Sequence, residues 1–123
     1  NRSVVESLSF DPEGIKTASI DKDGLLLVSG VDTDKVHLQL QLAQSNESGW
    51  YNRCRFNPHA DLPTIAVKFD RNMLDLVDSV KSIRTLKTPL LIDNEYSRWI
   101  DWRNDGNLLV TCGLDSNVKI YDR

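Results

Sequence analysis

Part of this chain is written twice, and that repetition constrains its fold more than any other feature. Lys16–Leu40, KTASIDKDGLLLVSGVDTDKVHLQL, lines up with Arg98–Asp122. Gly24 falls on Gly106 at an offset of 82, Gly30 on Gly113 at 83, Asp32 on Asp115 and Val36 on Val118. A self-similar module of about 40–45 residues is half that offset, so the spacing predicts a third copy in between. The middle of the chain supplies it. Asp70–Asp78 (DRNMLDLVD) follows the pattern of Asp115–Asp122, Thr64–Phe69 (TIAVKF) stands where LLLVSG and LLVTCG stand, and Tyr51–Asn57 (YNRCRFN) precedes it. A longer loop, Pro58–Pro63, replaces the tight glycine turn there.

Each copy reads as short strands. Val36–Leu42 alternates apolar and polar residues with period two, which gives one buried and one wet face. Leu25–Val28 and Leu108–Val110 are unbroken apolar runs, the pattern of inner strands buried on both faces. Asp23-Gly24 and Asp105-Gly106 are hairpin signals, because glycine takes positive φ without a steric penalty. Asp32, Asp70 and Asp115 suit turns, where a short carboxylate accepts backbone N–H groups. Asn72–Leu86 has some helix propensity, but its equivalence to the other copies favours strands. Ser79–Leu91 is expected to carry an outer strand, whereas Gln44–Gly49 is short for one and leaves that unit with three strands.

Asp101–Arg123 runs strand, Asn-Asp-Gly turn, strand, Asp-containing turn and strand, ending in Tyr121–Asp122. This resembles one blade of the WD-repeat family of β-propellers. The likeness is specific in the last unit, fair in the first and loose in the second. It implies an all-β fold of four-stranded antiparallel blades in an incomplete ring of about three: blade one over about 14–43, blade two over about 50–91, blade three over about 96–123, with 3–11 as the outer strand of a preceding blade. Of the family's buried His–Ser–Asp–Trp network, only the aspartates and a hydroxyl (Ser29, Thr111) carry over. The Gly-His pair before the inner strand is absent, and Leu40–Gln41 stands where the first unit would carry Trp-Asp.

Such rings close with about four to eight blades. An arc of three leaves apolar faces and unpaired edges in water. The faces are therefore expected to be covered by the rest of a larger propeller or by another copy of the chain; a β-sandwich is the non-propeller alternative. The chain begins with Asn1 rather than Met, as a processed piece or a segment of something longer would.

The formal net charge is −3 without a basic block, so nucleic-acid binding is not expected. Residues 1–50 carry 4 basic and 8 acidic groups, and residues 51–123 carry 11 and 10. Lys81, Arg84 and Lys87 form one basic strip, read as a solvated edge that discourages aggregation. No run approaches the roughly 18 apolar residues of a membrane span. Cys54 and Cys112 have neither metal-ligand spacing nor disulfide-framework density and are expected to be buried free thiols, which points to an intracellular, cytoplasmic or nuclear protein. No metal or cofactor is expected.

No phosphate loop, metalloprotease motif or nucleophile elbow is present. His37 reads as a half-buried packing residue. Asp61 could orient His59 as a base, but no nucleophile lies nearby, so no catalytic residue is assigned and no enzymatic role is expected. The function expected instead is that of a scaffold recruiting proteins or peptides into a multi-protein complex through its loop face. The expected partner-binding residues are Trp50, Tyr51, Arg53, Arg71, Glu95, Tyr96 and Arg98, since Trp, Tyr and Arg dominate interface energetics. Arg53 and Arg55 also read as the wet side of a strand, and Trp99 and Trp102 as core. The resemblance further implies roles such as substrate recruitment to a ubiquitin ligase or another regulatory complex. A purely structural β segment without a ligand is the remaining reading.

Overall fold

A computed structural model of the chain describes residues 4–33, 35–42, 52–69, 73–81, 83–84, 90–91, 97–113 and 118–122. All regular structure among them is strand. The first sheet is a meander of β1 (Val5–Phe10), β2 (Lys16–Asp21), β3 (Leu25–Gly30) and β4 (Val36–Gln41). The middle sheet contains β5 (Arg53–Phe56), β6 (Thr64–Phe69) and β7 (Met73–Asp78). Two short strands, β8 (Ile83–Arg84) and β9 (Leu90–Leu91), pair along the outer edge of β7. The third sheet is β10 (Ser97–Trp102), β11 (Leu108–Gly113) and β12 (Val118–Asp122). Every pairing is antiparallel.

The hairpins form for the local reasons the sequence gives. Gly24 and Gly106 take φ of 84° and 76°, and each donates its N–H three residues back, to Asp21 O and Arg103 O. Aspartates hold these turns and the Gly14 turn after β1: Asp11 accepts from Ile15 and Lys16, Asp21 from Asp23 and Leu25, and Asp105 from Asn107.

Register fixes which side chains share a face. In the first sheet Ser9–Ala18–Val28–Leu38 and Ser7–Ile20–Leu26–Leu40 form two rows on one face. In the middle sheet Phe56–Ile65–Val77 lies on one face and Arg55–Ala66–Leu76 on the other. In the third, Trp102–Leu109–Tyr121 is a row on one face. The sheets stack on these rows. One core joins Ala18, Ile20, Leu26, Val28, Leu38 and Leu42 to Cys54, Phe56, Ile65, Val67, Phe69 and Val77. A second joins Ala66 and Leu74 to Ile100, Trp102 and Leu109. At roughly 1.5–3 kcal/mol for each fully buried Leu, Ile or Val, these two interfaces hold the stack.

Several expectations are corrected. Val5–Phe10 is not the outer strand of a preceding sheet: it pairs with Lys16–Asp21 and makes the first sheet four-stranded. The strand buried on both faces is β6, from Ile65 to Phe69. In β3 and β11 burial alternates, because among the described residues each of those sheets packs on the middle sheet through one face. His37 is exposed. It lies where the register shifts between Val28–Leu38 and Ser29–Val36, in a bulge that turns it off the packed face. Cys54 is buried as expected, but Cys112 is exposed, since it pairs with Trp99 and Val118 on the open face of the third sheet. Trp102 is core; Trp99, on that same open face, is exposed.

Candidate functional site

The three opening strands lie side by side. β5 packs between β1 and β10, and its bonds to β1 keep one offset. Arg53 Nη1 donates to Glu6 O (3.2 Å), Cys54 N to Ser7 Oγ (3.2 Å), Arg55 Nη1 to Leu8 O (3.0 Å) and Phe56 N to Ser9 Oγ (3.0 Å), all 47 residues apart. Both strands advance together, so they run parallel. The link from β5 to β10 has the same separation: Trp102 Nε1 donates to Arg55 O at 3.0 Å, 47 residues away. One turn further on, Asn57 Nδ2 donates to Gly106 O at 3.0 Å.

Along this hub Arg53 and Arg55 stack on one indole. Their Cζ atoms lie 4.8 and 5.4 Å from the centroid of the Trp99 ring, within cation–π range. Arg53 is also tied to Asn52 O, and Arg55 to Cys54 O. Beside them Glu6 Oε1 accepts the Asn52 N–H at 3.0 Å, and buried Asn52 reaches across to Asp21 O at 2.8 Å. Two guanidiniums held against an exposed indole offer planar, charge-assisted donors next to an apolar plate, which suits a carboxylate-bearing or aromatic peptide side chain.

Of the partner-binding residues read from the sequence, the structure brings Arg53 to this cluster. Arg98 lies in β10 beside Trp99, with only its place in the strand described. Trp50, Tyr51, Arg71, Glu95 and Tyr96 lie outside the described residues, as do the turn residues Asp70 and Asp115. Asp32 is exposed in the bend after β3; the buried aspartate of the first sheet is Asp21, between its second and third strands. The sequence reading missed Trp99 as a surface group, and missed Ser7, Ser9 and Asn57 as links between sheets. The signal for the serines was present: they alternate with Leu8 and Phe10 along one strand.

Elsewhere His59 lines a cleft of about 110 Å³ with Asp11, Glu13, Lys16, Asn57 and Ser79. Asp61 offers His59 Nδ1 its backbone N–H, at 3.3 Å, rather than its carboxylate, and Ser79 Oγ is spent on Pro63 O. Burial pushes the Cys54 thiol up to about 11, against smaller opposing effects of a Ser7 hydrogen bond and the two arginines. Among the described residues no group of three or more His, Cys, Asp or Glu side chains could hold a metal ion, and no helix is long and apolar enough to cross a membrane. Comparison with protein-family models and with curated proteins found no match.

Proposed function

We propose that this chain is a sector of a WD-repeat-like β-propeller that serves as a protein-interaction scaffold within a larger assembly. The observation that carries this reading is the set of parallel opening strands, β1, β5 and β10, related by one offset, each leading an antiparallel sheet that packs face to face on the next. That is the relation of neighbouring blades around an axis. Rigid sheets of this kind hold loops and hub side chains in fixed positions, and those groups make the contacts. The Arg53–Arg55–Trp99 cluster is the described part of that contact surface, and Tyr96 and Arg98, close to Trp99 in sequence, are assigned to it by residue type.

The test is affinity capture from a lysate with immobilised wild-type chain and with Trp99→Ala, Arg55→Ala, Tyr96→Ala and Arg98→Ala, each confirmed folded by circular dichroism. Loss of the same captured proteins by two or more of these variants is expected. An unchanged set of captured proteins across all four refutes the assignment of this surface.

A further inference from the structure

The two junctions between sheets are built on one plan and filled differently. Asp11 follows Phe10 at the end of β1 as Asn57 follows Phe56 at the end of β5. Between the middle and third sheets Asn57 reaches across to the next turn. It is 1 % exposed, its Nδ2 donates to Gly106 O at 3.0 Å, and a Cβ added at Gly106 would meet its amide at 2.9 Å. That joint has no room left in it.

Between the first and middle sheets the corresponding place is open. Asp11 folds back on its own turn, giving Oδ1 to the Ile15 and Lys16 N–H groups at 2.8 and 3.0 Å. The β5–β6 loop opposite it is the longer one, without the tight glycine turn. What remains is the cleft of about 110 Å³ already described, walled by the Asp11–Lys16 turn, the loop after Phe56, and Ser79 with Val80. Both its walls are described, and it lies on neither outer face of the stack. Its volume is several times the roughly 30 Å³ share of one water and well below the roughly 300 Å³ at which cofactor-sized pockets begin. It has room for the end of one side chain.

The lining says which kind. Phe56, Leu62 and Pro63 give an apolar floor, and two carboxylates, Asp11 and Glu13, stand at the rim against one ammonium, Lys16. Among the described residues these three side chains form no ion pair, and Asp11 Oδ2 takes no hydrogen bond. Ala60, in the loop facing Asp11, likewise has a carbonyl that accepts no hydrogen bond among the described residues. At the other junction the group that fills the gap is an N–H donor set on a carbonyl. The open place therefore lacks donors and positive charge, above a floor that suits methylenes. A guanidinium on its stem brings all three, with five N–H groups in one plane. A carboxylate would meet Lys16 but face Asp11 and Glu13.

We propose that this cleft seats an arginine side chain presented by a partner polypeptide, with the guanidinium at Asp11 and Glu13 and the stem over Phe56. It is a second contact site, apart from the Arg53–Arg55–Trp99 cluster and opposite to it in charge. It rests on the scaffold reading above only in that its ligand is a protein; the junction itself stands without any ring.

Titrating the isotope-labelled 123-residue chain with a blocked Gly-Arg-Gly tripeptide, followed by amide NMR, tests it. Saturable shifts are expected at the Ile15, Lys16 and His59 amides, with a dissociation constant in the millimolar range. Blocked Gly-Glu-Gly and Gly-Leu-Gly are expected to leave those amides unmoved. Glu13→Gln and Asp11→Asn, the latter keeping an oxygen for the Ile15 and Lys16 N–H groups, should each weaken binding about threefold, the worth of an exposed ion pair. Circular dichroism checks that both variants remain folded. Equal shifts with the leucine peptide reduce the cleft to an apolar slot, and equal shifts with the glutamate peptide make it a Lys16 site; either overturns the proposal. So does the absence of any saturable shift, or arginine binding that neither carboxylate variant weakens. Shifts confined to the Trp99 indole place the arginine at the hub, overturning the cleft and leaving the scaffold reading standing. Binding here together with an unchanged capture set for the hub variants refutes the hub assignment and upholds the cleft.

Discussion

Gly106 and Gly14 occupy the same kind of turn, yet alanine should cost very different amounts at the two. Both have positive φ, 76° and 73°, so each substitution pays the left-handed backbone penalty of about 1 kcal/mol. At Gly14 nothing else lies within 4 Å of the added Cβ. At Gly106 the Cβ would meet the side-chain amide of Asn57, with Cγ and Nδ2 at 2.9 Å and Oδ1 closer still. Asn57 is buried and cannot yield freely. It donates to Gly106 O and accepts the His59 N–H at 2.9 Å. Displacing it forfeits both bonds at about 1 kcal/mol each, so Gly106→Ala should cost about 3 kcal/mol against about 1 for Gly14→Ala. Asn57→Ala alone should cost about 2 kcal/mol. The double substitution should then also cost about 3 rather than the sum of about 5, because the clash is gone and the bonds are lost only once. Urea unfolding followed by tryptophan fluorescence measures all four. Equal costs at the two glycines, or an additive double variant, would refute the tight joint between the middle and third sheets.

Three further outcomes are expected. An aromatic disulfide reagent at pH 8 should modify Cys112 rapidly and Cys54 only on unfolding; since the folded Cys54 titrates at about 11 against 9.0 when unperturbed, stability should be complete below pH 9 and fall as pH rises from there to 11, by on the order of 2–3 kcal/mol in total, and Cys54→Ala should flatten that slope. Ser7→Ala and Ser9→Ala, which leave the Cys54 and Phe56 N–H groups without their acceptors, should each cost about 1–2 kcal/mol in the same urea assay. A hydrogen bond from Arg103 holds the exposed Asp105 carboxyl down at about 2; its contribution is present above 3.8 and lost as pH falls through 2, and carboxyl NMR on Arg103→Gln should show the titration moving back toward 3.8.

The strands themselves were legible because their chemistry is local. The two glycine turns, the alternation in Val36–Gln41 and the strand character of Met73–Asp78 are read from neighbours in sequence. Which strand opens each sheet was not. Leu25–Gly30 resembles Leu108–Gly113 so closely that aligning them puts Lys16–Asp21 opposite Ser97–Trp102, yet one is a second strand and the other a first. Strand type carries little record of strand position. The aromatic-then-turn signature at Phe10, Phe56 and Trp102 does carry it, because that residue closes the opening strand of every sheet. The hub cluster was only half legible for a related reason. Arg53 could be picked out by residue type, whereas the exposure of Trp99 follows from its face of the third sheet being open among the described residues, a property of the stack rather than of the strand.

The same hub explains why the sheets meet face to face rather than merging edge to edge. An opening strand has a free edge, and a parallel strand alongside it would normally complete a ladder. Here side chains intervene. On the free edge of β5 the N–H groups of Asn52, Cys54 and Phe56 go to Glu6 Oε1, Ser7 Oγ and Ser9 Oγ. The carbonyls of Asn52 and Cys54 go to the β5 arginines, and those of Glu6 and Leu8 on β1 are taken by the same two guanidiniums. Every one of these edge groups is satisfied through a side chain, so the two backbones stay a side chain apart and have nothing to gain from closer pairing. The polar residues of β1 and β5 thus do by hydrogen bonding what the apolar rows do by packing: they set one sheet beside the next at a fixed offset.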